Sequence, residues 1–221
     1  LGELPIILCY KLNGQWLTAK RGGPVRMIVP GVYGNKSVKW IQRVVLTNEP
    51  RQNDTYADWN NDTDSPLKTC ASFRSVPGKV KVGQAVPLTG LAQVGMSGLS
   101  KVQYWVAAHE AALPADDPNF TSADWRDAEI LPAPDRWGGG LPDAKLPATP
   151  LQFDANTGKP REWPIRDSIA FWTARLSGLA PGKYDLRCRT IDANGLAQPL
   201  PRPFPKSGQN AIQRVSLTVE D

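Results

Sequence analysis

The sequence predicts a mainly β fold: an immunoglobulin-like β-sandwich preceded by a partial sheet. Three observations carry that expectation. Twenty-one Pro and 19 Gly in 221 residues punctuate the chain too often for long helices. Short apolar or alternating runs recur, with turn residues between them. A polar stretch then separates a short first group of such runs from a longer second group.

The first group occupies residues 1–48. Residues 5–10 (PIILCY) are a short apolar run of strand type. This opening lacks a basic segment and a small-residue cleavage site, so it does not read as a signal peptide. It reads as a strand, and the chain is expected to begin inside a folded unit. Asn13-Gly14 is a hairpin-turn signal. Residues 24–30 form a second strand bounded by Pro24 and Pro30, and Gly31 and Gly34 mark a loop. Residues 40–46 (WIQRVVL) form a third strand. So short a stretch cannot build a comfortable core alone, and 1–48 is expected to complete a sheet begun elsewhere. Residues 48–66 are rich in Asn, Asp and Pro, which places a linker at 49–65.

The second group occupies residues 66–221. Strands are expected at 68–74, 79–82, 85–93, 99–108, 169–175, 182–191 and 211–219. Tyr184, Leu186, Cys188 and Thr190 alternate with Asp185, Arg187 and Arg189, which describes a strand with one face in a core and one in water. The last run, Ala211 to Val219, alternates less cleanly. About seven strands with turn signals fit a sandwich. A long insertion at about 110–168 interrupts the rhythm with nine prolines and the run Trp137-Gly-Gly-Gly140. Only 125–131 looks strand-like there, and the insertion is expected to pack as an arm on the sandwich or on a dimer mate.

Composition excludes several classes. The net charge of +5 comes from scattered Lys and Arg rather than a basic tract, which speaks against nucleic acid. No run approaches the length of a transmembrane helix. Cys9, Cys70 and Cys188 lie far apart without a CxxC pair, so they read as buried free thiols, with one disulfide left open. His109 is the one histidine, so a histidine-rich metal site or a Ser-His-Asp triad would need that one residue to do everything. It reads as a surface or turn residue.

The segment Gly23-Pro-Val-Arg-Met-Ile-Val-Pro-Gly-Val-Tyr-Gly-Asn-Lys-Ser-Val-Lys-Trp40 is more specific. It resembles the sulfite oxidase family of molybdopterin-dependent oxidoreductases, whose cofactor domain ends in GxPVRxxVPGxxGxxxVKW. Tyr10-Lys-Leu-Asn-Gly14, Thr190-Ile-Asp-Ala-Asn-Gly195 with Gln198-Pro199, and Asn210-Ala-Ile-Gln-Arg-Val215 are similar to further family motifs, in order. The resemblance implies that 1–48 is the C-terminal piece of a molybdopterin-binding domain and 66–221 an immunoglobulin-like dimerisation domain. It implies pterin contacts at Arg26 and at Ser37, Val38 and Lys39. Physically, a phosphate-bearing pterin needs cations and donors on a rigid frame, and these residues offer both. The family's cofactor-contacting His falls at Arg21, which keeps a donor and a charge but loses the neutral acceptor. Trp40 reads as a core residue rather than a cofactor stack.

Arg214 matches a family arginine that reaches toward an oxyanion substrate, a task suited to a forked, permanently charged guanidinium. Two departures put sulfite itself in question. Ile212-Gln213 replaces the family's Trp-His, and Pro205-Lys-Ser-Gly208 stands for its Arg-Gly-rich loop. None of the three cysteines matches the family's molybdenum ligand, so no metal ligand is assigned here. The isolated chain is expected to be inactive and to hold no stoichiometric molybdenum–molybdopterin. The expected partners are the remaining cofactor domain, a second copy in a homodimer, and a small oxyanion substrate. The family suggests a periplasmic or exported protein. The competing expectation is a free-standing β-sandwich binding or adhesion module, for which the strands of 1–48 would have no use.

Overall fold

A computed structural model describes residues 6–49, 66–109, 111, 120–148, 150–199 and 210–221. Most of the expected linker, and Pro205–Gly208, lie outside the described residues. The chain divides into two compact units. Unit one comprises Leu1–Leu67, Pro134–Glu162 and Pro203–Gln209; unit two comprises Lys68–Ala133, Trp163–Arg202 and Asn210–Asp221.

Among the described residues, unit one contains four short strands: β1 (Ile7–Cys9), β2 (Lys11–Leu12), β3 (Gln15–Trp16) and β4 (Arg26–Ile28). β1 and β4 pair antiparallel, with Leu8 opposite Met27. β2 and β3 form the hairpin expected at Asn13-Gly14. Both turn residues are left-handed, at φ 52° and 79°, the geometry that favours Asn-Gly in a two-residue turn.

The strand expected at 40–46 does not form. The Ile41 N–H donates to Val25 O at 3.0 Å, and the residues from 41 to 49 then run without regular structure. Val44, Val45 and Leu46 are exposed, Leu46 at 96%. A strand needs a neighbour to complete its ladder, and none among the described residues offers one here. Trp40 also departs from its expected core position. It is 57% exposed, and its indole Nε1 donates to Ala19 O at 2.7 Å.

Unit two is all strand and turn: β5 (Cys70–Ser75), β6 (Lys79–Lys81), β7 (Val86–Val94), β8 (Lys101–Ala108), β9 (Arg126–Ile130), β10 (Ser168–Leu176), β11 (Gly182–Ile191) and β12 (Gln213–Glu220). They form one eight-stranded sheet in the order β5-β7-β10-β9-β8-β11-β12-β6. One core cluster draws Val86, Leu88 and Trp172 from β7 and β10, and Val102, Leu186 and Leu217 from β8, β11 and β12. The sheet therefore folds over onto itself as a sandwich does. The strand-like stretch at 125–131 supplies the seam: β9 pairs with β10 through Ile130 opposite Trp172, and with β8 through Ala128 opposite Val102. Gly90 lies opposite Trp172 and must be glycine, since a Cβ there would sit 2.1 Å from the indole ring.

Pro134–Glu162 of the insertion clusters with unit one. Trp137 packs edge-on against Phe153 there, 5.1 Å between centroids. The polar face of β11 is not simply in water: Asp185 and Arg189 are buried. Phe120 and Trp125 explain part of this, because their rings lie over Arg187 and Arg189.

Candidate functional site

In unit one, the backbone brings the sequence-selected residues onto two neighbouring segments. Met27 N donates to Val38 O at 2.8 Å, and Trp40 N donates to Gly22 O at 3.1 Å. Ser37 Oγ accepts from Val29 N at 3.1 Å, which fixes the turn leading into Val38 and Lys39. The segment 37–41 thus runs beside 22–29, with Arg26 half-buried between Val25 and Met27 on the latter. Gly22 is left-handed at φ 98°, and an added Cβ would meet Lys39 Cγ at 2.7 Å, so glycine lets the lysine stem lie against the backbone. Lys39 Nζ reaches Lys20 O at 3.2 Å.

Arg26 Nε and Asn35 Nδ2 of this segment are buried without a hydrogen-bond partner. A buried donor left unsatisfied costs about 1–3 kcal/mol, more when charged. Such donors suit an acceptor-rich, anionic ligand. Arg21 is exposed, and its backbone N–H is capped by Thr18 Oγ1 at 3.4 Å. It lines an open recess of about 510 Å³ together with Asn13, Trp16, Thr18, Gly139 and Gly140.

Arg214 belongs to unit two. On β12, Leu217 and Val219 are buried in the core while Arg214 and Ser216 are exposed. Its Nη2 lies 2.8 Å from Asp185 Oδ2. Asp185 Oδ1 lies 3.0 Å from His109 Nδ1, so His109 is a hydrogen-bond partner and more than a turn residue. Arg187 stands directly opposite Arg214 in the β11–β12 register, with its guanidinium 4.5 Å from the Phe120 ring centroid and 5.4 Å from that of Trp105. Desolvation holds the Arg187 pKa below the usual arginine value, against the pull of Asp185, with Arg214 adding to the lowering.

Asp185, His109 and Arg187 were not selected from the sequence. The alternation did place Asp185 and Arg187 on one face. Nothing in the sequence revealed the cross-strand register that brings them to Arg214.

The other motif residues serve architecture. Gln198 Oε1 accepts from Ala71 N at 2.9 Å and from Thr190 N at 3.3 Å, and its Nε2 donates to Ala211 O at 2.9 Å. One buried amide thereby ties β5, β11 and the approach to β12. Asn210 Nδ2 donates to Pro199 O at 2.9 Å. Asp192 Oδ1 accepts from Asn194 N and Leu196 N, a side-chain turn that shapes the Asp-Ala-Asn-Gly loop.

The thiols are free; Cys188 is buried and Cys9 and Cys70 are half-buried, so full burial holds for one of three. Burial raises the Cys70 pKa, and raises that of Cys188 further, beyond the usual thiol range. Among the described residues, no group of three or more His, Cys, Asp or Glu gathers as a metal site.

The family described as oxidoreductase molybdopterin binding domain matches residues 2–55. Over this segment the chain is similar to molybdopterin-dependent oxidoreductases. The match contains Arg21, Arg26, Ser37, Val38 and Lys39, and ends before unit two begins. Relatives of this family include the NADH nitrate reductase 1 of Arabidopsis thaliana, 43% identical over 61 residues, or 28% of this chain and 6% of that protein. The NADPH nitrate reductase of Pichia angusta is 42% identical over 51 residues, covering 23% of this chain and 6% of the relative. The NADH nitrate reductase 1 of Phaseolus vulgaris is 49% identical over 47 residues, covering 21% and 5%. The chain thus matches only about one-twentieth of the length of these oxidoreductases. No helix among the described residues is long and apolar enough to cross a membrane.

Proposed function

We propose that the chain is the C-terminal part of a sulfite-oxidase-like molybdopterin oxidoreductase acting on a small oxyanion. In this reading 1–48 completes the cofactor domain and 66–221 is the dimerisation domain, joined by a linker at 49–65. The observation that carries it is the pair of buried, unpartnered donors, Arg26 Nε and Asn35 Nδ2, inside the family-matched segment. A pterin phosphate and the pterin's ring acceptors would satisfy such donors. Arg26, with Ser37, Val38 and Lys39 beside it, would hold the cofactor, and Arg21 would add a cation nearby. When bound, molybdenum–molybdopterin supplies two-electron oxygen-atom transfer. Arg214 would orient the substrate by charge-assisted hydrogen bonds. The upstream molybdenum-ligand cysteine would come from the rest of the protein, so this chain alone would be inactive and hold no stoichiometric cofactor.

The relatives' names favour an oxyanion such as nitrate, and Ile212-Gln213 in place of the family's Trp-His argues against assuming sulfite. Homodimerisation through the β domain and a periplasmic or exported location complete the proposal. A free-standing binding module would give the 6–49 segment no reason to bury unpartnered donors.

The test is Arg26→Gln in the full-length protein, read as pterin released on denaturation. Losing a buried charge-assisted contact of ~2 kcal/mol or more should lower cofactor occupancy by about tenfold or more at limiting cofactor. Unchanged pterin content would refute the assignment.

A further inference from the structure

We propose that Asp185 is a positioning residue, which holds Arg214 in the pose from which its guanidinium meets an anion, with Arg187 as a second fixed cation. This rests on the reading of Arg214 as the substrate-side arginine.

The geometry comes from the register. Arg214 and Arg187 are directly opposed across β11 and β12. Like charges in that relation repel. Arg187 is held under the Phe120 and Trp105 rings. Arg214 retains more freedom, its side chain being 44% exposed. Left alone, it would swing away from its neighbour.

Asp185 lies two residues from Arg187 on the same face of β11, diagonal to Arg214. It is 2% exposed, and its Oδ2 takes Arg214 Nη2 at 2.8 Å. His109 Nδ1 meets the second oxygen at 3.0 Å, and His109 N is anchored to Lys183 O at 2.9 Å. The carboxylate is thus fixed on both sides.

A buried ion pair is a weak source of stability by itself. Here its effect is direction: one edge of the guanidinium is spent on Asp185, and the remaining donors of the fork stay available. Two arginines against one aspartate leave these three side chains with a net positive charge. The anchor therefore does not cancel the attraction for an anion.

The experiment is calorimetric titration of inorganic sulfate and of nitrate into full-length protein, comparing Asp185→Asn, Arg214→Gln and the double variant. Arg214→Gln should weaken binding about 30-fold and Asp185→Asn about tenfold, the scale of one charge-assisted contact. The double variant should match Arg214→Gln alone, because Asp185 acts only through Arg214. A general structural role would instead weaken the double variant further. Wild-type or tighter binding by Asp185→Asn, or additive losses, would overturn the proposal. If Arg214→Gln itself binds as wild type, the substrate-side reading fails and takes the inference with it. Should Asp185→Asn not fold, Asp185→Glu replaces it. That variant keeps the charge but shifts it by one methylene, and should weaken binding about threefold or more; wild-type affinity there would also overturn the proposal.

Discussion

Trp172 and Trp16 show how differently the two units use the same kind of residue. Trp172 lies in the core of unit two, its ring edge-on to Phe73 at 5.4 Å and its Nε1 bonded to Leu91 O at 3.2 Å. Trp16 lies on a two-residue strand of unit one and is 70% exposed, beside Tyr10 and under Lys11. The same contrast runs through the neighbours. Unit two closes a core from both halves of its sheet, while unit one leaves Ile7, Leu8, Tyr10, Leu12, Val44 and Val45 at the surface. The segment with the family match thus exposes many of its large apolar residues. The self-sufficient β unit carries the candidate substrate arginine.

Substitution of those two tryptophans tests the contrast most strongly. Trp172→Ala should cost about 3–5 kcal/mol by chemical denaturation, as for other buried aromatics. Trp16→Ala in the same chain should cost less than about 0.5 kcal/mol, as at other surface sites. Equal losses would remove the distinction between the units.

Next in size is Arg214→Gln in the full-length protein. It should lower kcat/KM about 30-fold, or ~2 kcal/mol, if the arginine contacts the oxyanion. Wild-type kinetics would make it a surface cation held by Asp185.

A third test uses the thiols of unit two. Burial holds the Cys188 proton well above neutral pH, so native protein at pH 8 should show no alkylation of Cys188 by iodoacetamide. Labelling should follow denaturant unfolding. Rapid native labelling would show that the core opens.

The smallest effect concerns Asp127, which accepts from Lys101 Nζ at 2.7 Å and Gln103 Nε2 at 2.8 Å on the exposed side of β8 and β9. Those hydrogen bonds lower its pKa, so its stabilisation is complete above the usual carboxylate range and is lost as pH falls through the lowered value. Asp127→Asn at pH 7 should cost only a few tenths of a kcal/mol, and less in high salt. A larger loss, unaffected by salt, would contradict this.

What could be read from the sequence was local. Asn13-Gly14 declared its hairpin because only left-handed residues fit that turn. The inward face of β11 declared itself by alternation. The segment 40–46 reads as a strand by composition, yet a strand also depends on a neighbour, and composition does not supply one. Trp40 reads as core for its size, while its indole bond to Ala19 O keeps it at the surface. The burial of Asp185 follows from register and from the cover over β11, neither of which spacing along one strand reveals. The candidate cofactor residues were legible through a motif. The contacts around Arg214 were not, since they join residues 29 and 76 positions apart in the chain.

The proposal is a division of labour, in which unit one would meet the cofactor and unit two the substrate. Its most direct test is pterin content and kcat/KM measured side by side for Arg26→Gln and Arg214→Gln in full-length protein. Arg26→Gln should lose pterin by about tenfold, with activity falling in proportion, while Arg214→Gln keeps its pterin and loses about 30-fold in kcat/KM. Equal pterin loss in both variants, or retention in both, would contradict the division.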